Sequence, residues 1–153
     1  MATRQRIVDV AREYIGTPWK HQAALKGVGI DCVNLLACVA YECGLGDARP
    51  LARNEVYRAY GREPLPEVLF AGCEEYLDRI PLSQATLADI LLMKVPGGAY
   101  PQHFSIVSAV DDDGKPLYMI HATSGAPRRV VENRIDDATR ARLFRAYRFK
   151  GID

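Results

Sequence analysis

The 153 residues carry 20 Lys plus Arg against 19 Asp plus Glu, a net charge of +1, and 48% of them are hydrophobic. That length and composition suffice for one domain, over residues 1–153, whose core needs neither disulfides nor metals. The charge balance removes the electrostatic case for nucleic acid or an acidic partner. Arg4, Arg6, Asp9, Arg12 and Glu13 interrupt the opening stretch too often for a signal peptide or a membrane span. The expectation is a chain made in the cytoplasm without a cleavable leader and with no membrane insertion.

Ile7, Val10, Ala11 and Tyr14 recur at helical spacing, and Gly16 with Pro18 closes a first helix of about three turns. A loop follows. Gly27-Val28-Gly29-Ile30 then leads to Asp31 as an N-cap, and Val33, Leu35, Leu36, Val39 and Ala40 give a mostly buried helix that stops at Gly44. This helix is expected at the centre of the fold. From Asp47 to Pro81, short helical patterns such as Glu67 to Arg79 alternate with Pro50, Pro64 and Pro66, with no repeat and no low-complexity linker.

From Ala88 the periodicity changes. Ile90 to Val95, Phe104 to Val110, Leu117 to His121, Arg128 to Glu132 and Phe144 to Phe149 are strand-like runs separated by Gly, Pro and Asp-rich turns. Helices first and an antiparallel sheet afterwards define an α+β chain. Arg128, Arg129, Arg134, Arg140, Arg142, Arg145 and Arg148 gather late, but Glu132, Asp136 and Asp137 interleave with them, which reads as a solvated face.

The cysteines Cys32, Cys38, Cys43 and Cys73 form no CxxC pair and no secreted disulfide pattern. Cys38 and Cys43 read as small core residues on other parts of the helix. Cys32 alone has a chemical setting: a helix N-terminus beside an imidazole lets a thiol ionise below its usual pKa of about 8.5. Two of the three histidines, His103 and His121, lie in strand-like segments that one hairpin joins, whereas His21 falls in a polar loop. Each strand histidine taken alone reads as a hydrogen-bonded, half-buried residue. Together with Cys32 they are candidates for a nucleophile, a base and an orienting group.

The hairpin makes this sharper, because register decides whether the imidazoles share a face. A two-residue Asp113-Gly114 turn places His103 and His121 on opposite sides of the sheet. A three-residue Asp112-Asp113-Gly114 loop, with Gly114 left-handed and Asp111 opposite Lys115, makes them diagonal neighbours on one face. The odd loop, or an equivalent bulge, is predicted.

Ala11-Arg12-Glu13-Tyr14-Ile15-Gly16-Thr17-Pro18-Trp19, then Asp31-Cys32-Val33, then Ala88-Asp89-Ile90-Leu91-Leu92 ahead of the His103 strand, and then His121 together carry a resemblance over most of the chain. It resembles the NlpC-type cysteine peptidases, papain-like bacterial and phage enzymes that cut peptide stems of cell-wall peptidoglycan. The resemblance implies a papain-like fold, with the nucleophile at a buried helix N-terminus packed on a C-terminal antiparallel sheet. It implies Cys32 as nucleophile, His103 as general base and then acid, and His121 as the group that orients the His103 ring. It also places Asp31 and Tyr14 in the substrate cleft, with Trp19 as a wall of it. For Asp31, helix capping alone is an equal reading; for Tyr14 core packing is the stronger one, and Trp19 reads equally as a loop anchor.

No cofactor is implied, and the partners are peptidoglycan stem peptides. Without an export signal or a wall-binding domain, the chain resembles stand-alone forms of phage tail gene sets, which implies tail-tip proteins as partners and the tail as the route to the cell wall. Two departures stand out: Val33 and Asn34 replace the small residue and glycine that usually follow the cysteine, and Ala88 replaces a glycine before Asp89. They leave room for a non-catalytic tail-assembly or wall-binding module. A cysteine amidase or acyltransferase on the same scaffold keeps Cys32 and His103. A zinc site from Cys32, His103 and His121 lacks the usual short ligand spacing.

Overall fold

The computed structural model describes residues 2–45 and 66–152. Pro50, Pro64 and most of the middle segment lie outside the described residues. Helix α1 spans Arg4–Glu13, started by the Thr3 hydroxyl, which accepts from Arg6 N at 3.0 Å. It buries Ile7, Val8, Val10 and Ala11. A two-residue ribbon, β1 (Ala24–Leu25) with β2 (Gly29–Ile30), then delivers the chain to α2, Cys32–Glu42. Helix α2 buries Val33, Leu35, Leu36, Ala37, Val39 and Ala40 and ends where Gly44 turns left-handed at φ +71°.

The helical pattern expected from Glu67 to Arg79 divides. Helix α3 occupies Pro66–Tyr76, and Leu77–Ile80 is strand β3, paired antiparallel with Phe149 back to Ala146. Tertiary pairing overrides local helical propensity there, because the neighbouring strand supplies a ladder for these four residues. After a single 3₁₀ turn at Leu82–Gln84 come β4 (Ile90–Lys94), β5 (Pro101–Val110), β6 (Pro116–Ala122) and β7 (Val130–Arg134). Helix α4 (Asp137–Arg142) and strand β8 (Leu143–Phe149) complete the described chain. The sheet is six-stranded and antiparallel in the order β3-β8-β4-β5-β6-β7.

One core lies between the helices and the sheet: Ile7, Val10, Leu35 and Val39 meet Ile90, Leu92, Phe104, Ile106 and Ile120. A smaller one forms from Leu91, Met93, Val107, Met119, Ala146 and Ile135. Asp89, fully buried ahead of β4, fastens the layers. Its carboxylate accepts two hydrogen bonds from Arg148 of β8, at 2.9 and 2.8 Å, and one from Arg4 of α1 at 3.1 Å.

The late arginines are not simply a solvated face. Arg140 donates to Pro116 O at 2.7 Å, Arg142 to Lys94 O at 2.9 Å, and Arg148 to Asp89. Helix α4, capped by Asp136, brings the first two there and has too few apolar residues to show in a periodicity reading. Among the described residues, no helix is long and apolar enough to cross a membrane.

Candidate active site

Asp31 places Cys32. Its side chain caps α2, Oδ1 accepting from Asn34 N at 2.9 Å and from Asn34 Nδ2 at 3.0 Å, while Oδ2 accepts from Gln22 N at 2.8 Å. One carboxylate oxygen thus caps the helix and the other ties down the Gln22 loop, while Asp31 also lines the cavity beside Cys32. Cys32 is the first residue of the helix, and its thiol donates to Gln102 O at 3.8 Å.

The hairpin has the predicted odd loop. Gly114 is left-handed at φ +80°, Gly114 N donates to Asp111 O at 3.0 Å, and Asp111 N donates to Lys115 O at 2.9 Å. Beyond a pair of offset residues, Val107 opposes Met119 and Ile106 opposes Ile120. That register makes the two histidines diagonal neighbours on one face. Nε2 of His103 lies 2.7 Å from Nδ1 of His121, and the rings meet edge-on with centroids 5.0 Å apart. Nε2 of His121 lies 2.7 Å from Oδ1 of Asn133. Among the described residues, none hydrogen-bonds Nδ1 of His103.

Cys32 and His103 line one small cavity of about 60 Å³, with Trp19, His21, Asp31, Val33, Gln102 and Ser124 among the other walls. Trp19 reaches it because its backbone pairs with Ile30 on one side and is tied to Arg128 on the other, where Trp19 N donates to Arg128 O at 2.8 Å. Its ring stacks near His21, centroids 6.4 Å apart, and carries the Arg128 guanidinium 5.7 Å from its centre. His21, read from sequence as incidental, is thus a wall of the cavity. Tyr14 is not. Its hydroxyl donates to Glu42 at the far end of α2, under the Lys26 ammonium, so it sits in the helical layer, outside the walls of this cavity.

The electrostatics differ from the expected ionised thiol. Burial, with the Asp31 carboxylate adding to it, pushes the Cys32 thiol up to about 12, and the N–H groups of Phe104, Val33 and Cys32 offset this only in part. Burial, then His121 and Arg142, holds His103 down to about 3. His121 is lowered as well, chiefly by burial and against the pull of Asn133. Both shifts favour the neutral forms, thiol and imidazole.

Sequence reasoning missed Asn133 and Gln102. Gln102 meets the thiol through its backbone carbonyl, and its side-chain oxygen is buried with no hydrogen-bond partner among the described residues. Among the described residues, no three His, Cys, Asp or Glu side chains converge as a metal site.

An α+β domain with a cysteine opening a buried helix against an antiparallel sheet has the papain-like architecture of NlpC/P60 domains. Solved structures with this fold include an NLP/P60-family protein similar to lipoprotein from Staphylococcus aureus subsp. aureus Mu50, at TM-score 0.62 and 17% identity over 95% of this chain and 41% of that one. The NlpC/p60 domain of the peptidoglycan hydrolase SagA matches at TM-score 0.60 and 22% identity, covering 95% of this chain and 98% of the domain. An NlpC/P60 family protein from Bacillus cereus ATCC 10987 matches at TM-score 0.62 and 14% identity, over 96% of this chain and 40% of that one. The chain thus spans about two fifths of the Staphylococcus and Bacillus proteins and nearly the whole SagA domain. No family model matches the sequence, and no curated protein matches it.

Proposed function

We propose that this chain is a cysteine endopeptidase that hydrolyses amide bonds in peptidoglycan stem peptides. One observation carries the reading: in an NlpC/P60 fold, the cysteine at the start of α2 and His103 line one cavity, and His103 is backed by His121. Cys32 Sγ attacks the amide carbonyl carbon, and its proton passes to Nδ1 of His103. Because both groups rest neutral, the transfer accompanies attack instead of preceding it. The Cys32 N–H, at a helix start with its unpaired donors and positive dipole, receives the oxyanion. His103 then protonates the leaving amine as the C–N bond breaks. Water attacks the resulting thioester, gives a proton to His103, and releases the carboxylate and the thiol.

The test is mass spectrometry of peptidoglycan and defined stem peptides after incubation with the wild-type chain and with Cys32→Ala. Fragments released by wild type alone support the reading and identify the bond. A second reading, a wall-binding module that does not cut, draws on the raised thiol and on Val33 and Asn34 where the family has small residues. It gains from wall binding without fragments by a folded wild type.

A further inference from the structure

We propose that Asn133 is a positioning residue for Cys32 and His103: its side-chain oxygen sets the protons on both imidazoles so that Nδ1 of His103 stays bare. The inference rests on the peptidase reading above. An imidazole that receives a proton at Nδ1 must carry its own on Nε2. In His103 that nitrogen faces Nδ1 of His121 at 2.7 Å, so two neutral rings hold one hydrogen between them. If His121 supplies it, the hydrogen of His103 sits on Nδ1 and that nitrogen cannot act as the base.

The other end of the chain of contacts breaks this tie. Nε2 of His121 is 2.7 Å from Oδ1 of Asn133, a carbonyl oxygen that only accepts. His121 therefore donates from Nε2 and accepts at Nδ1. His103 in turn donates from Nε2, and its Nδ1 is free. Register puts Asn133 in place: Val131 opposes His121, so the residue two further along β7 shares the histidine face.

An amide oxygen selects these tautomers without adding charge, which is where Asn and Asp part. His121 faces His103 of β5, Asn133 of β7 and the Arg142 charge of α4. A carboxylate at residue 133 would favour the His121 imidazolium, whose Nδ1–H donates to His103 and drives the His103 hydrogen onto Nδ1. Asn133→Asp is then the poorer variant near neutral pH and recovers as His121 deprotonates. A structural role alone predicts no such pH dependence.

The experiment combines ring nitrogen NMR on ¹⁵N-histidine-labelled protein, assigned with His21→Gln, with stem-peptide kinetics between about pH 5 and 9. Wild type is expected to show Nε2–H on both strand histidines. Asn133→Leu should mix the tautomers and lower kcat about tenfold or more with little change in KM. Asn133→Gln should restore part of the loss, and the Asn133→Asp rate should climb with pH. Hydrogen on Nδ1 in wild type overturns the proposal, as do unchanged tautomers in Asn133→Leu. The expected tautomers in wild type, lost in Asn133→Leu, with no cleavage by either protein, support the relay and overturn the peptidase reading.

Discussion

The Cys32 thiol gives its hydrogen bond to the carbonyl of Gln102, across 3.8 Å, and the two residues share the walls of one cavity. Burial raises the cost of ionising that thiol. Alkylation of Cys32 by iodoacetamide should be much slower at pH 7 than for a free cysteine and should rise about tenfold per pH unit toward pH 12, since the thiolate is the nucleophile and burial holds the thiol up to about 12. Site-resolved mass spectrometry over a pH series reads this, and a plateau reached below pH 8 would contradict it.

Stability should fall on mild acidification. The buried His103 is held down to about 3, against about 6.5 in the unfolded chain, so the unfolded state binds more protons between those values. The stability is fully present above about pH 6.5 and is lost toward pH 3, at about 1.4 kcal/mol per pH unit for each such histidine. His121, also lowered, adds in the same direction. The lowered carboxylates of Glu132 and Asp136 act only below their ordinary values of 4.5 and 3.8. Urea denaturation between pH 5 and 6.5 isolates the imidazoles; the slope should be shallower in His103→Gln.

Ala88 sits at φ +69° with its side chain buried, in the place where the resembling family carries glycine. A left-handed alanine costs about 1–2 kcal/mol, while its methyl contributes about 0.8 kcal/mol of burial and lowers unfolded-chain entropy. Ala88→Gly should therefore lie within about 1 kcal/mol of wild type, the two effects nearly cancelling, and Ala88→Val should lose several kcal/mol. Chemical denaturation decides it: a glycine variant weakened by more than about 1 kcal/mol would remove the strain argument.

Asp89→Ala should cost about 3–5 kcal/mol, because it strands the Arg148 and Arg4 guanidiniums that meet on a fully buried carboxylate. The same denaturation assay tests this. A cost below about 1 kcal/mol would mean that the arginines find other partners or water.

Tyr14→Phe should leave kcat/KM for stem peptides unchanged and cost about 1 kcal/mol of stability, the usual worth of one hydrogen bond, here to Glu42. A drop in kcat/KM without a change in stability would return Tyr14 to the cleft.

What the sequence revealed follows from range. Asp31, Cys32 and the apolar spacing of α2 are local facts, and they specify a capped, buried helix as it stands. The Gly114 loop is also local, and parity carries its consequence to His121. Long-range pairing was not legible: Leu77–Ile80 is a strand because β8 lies beside it. A boundary error hid Asn133, since ending the strand at Glu132 leaves out the next residue on the ladder, although counting two beyond Val131 reaches it. The raised thiol was hidden for another reason: cap and helix dipole are visible in sequence, whereas the burial that outweighs them is not.

Strand β8 follows every other strand in the chain, yet it occupies an interior position in the sheet, between β3 and β4. Without β8, β4 to β7 form a meander with one flank open, and β3 has no strand to pair with. Residues 143–149 join both parts as a single strand, filling the gap and bringing Arg148 to Asp89. The sheet and the Asp89 charge cluster thus depend on the same closing element, the strand that comes last among the described residues.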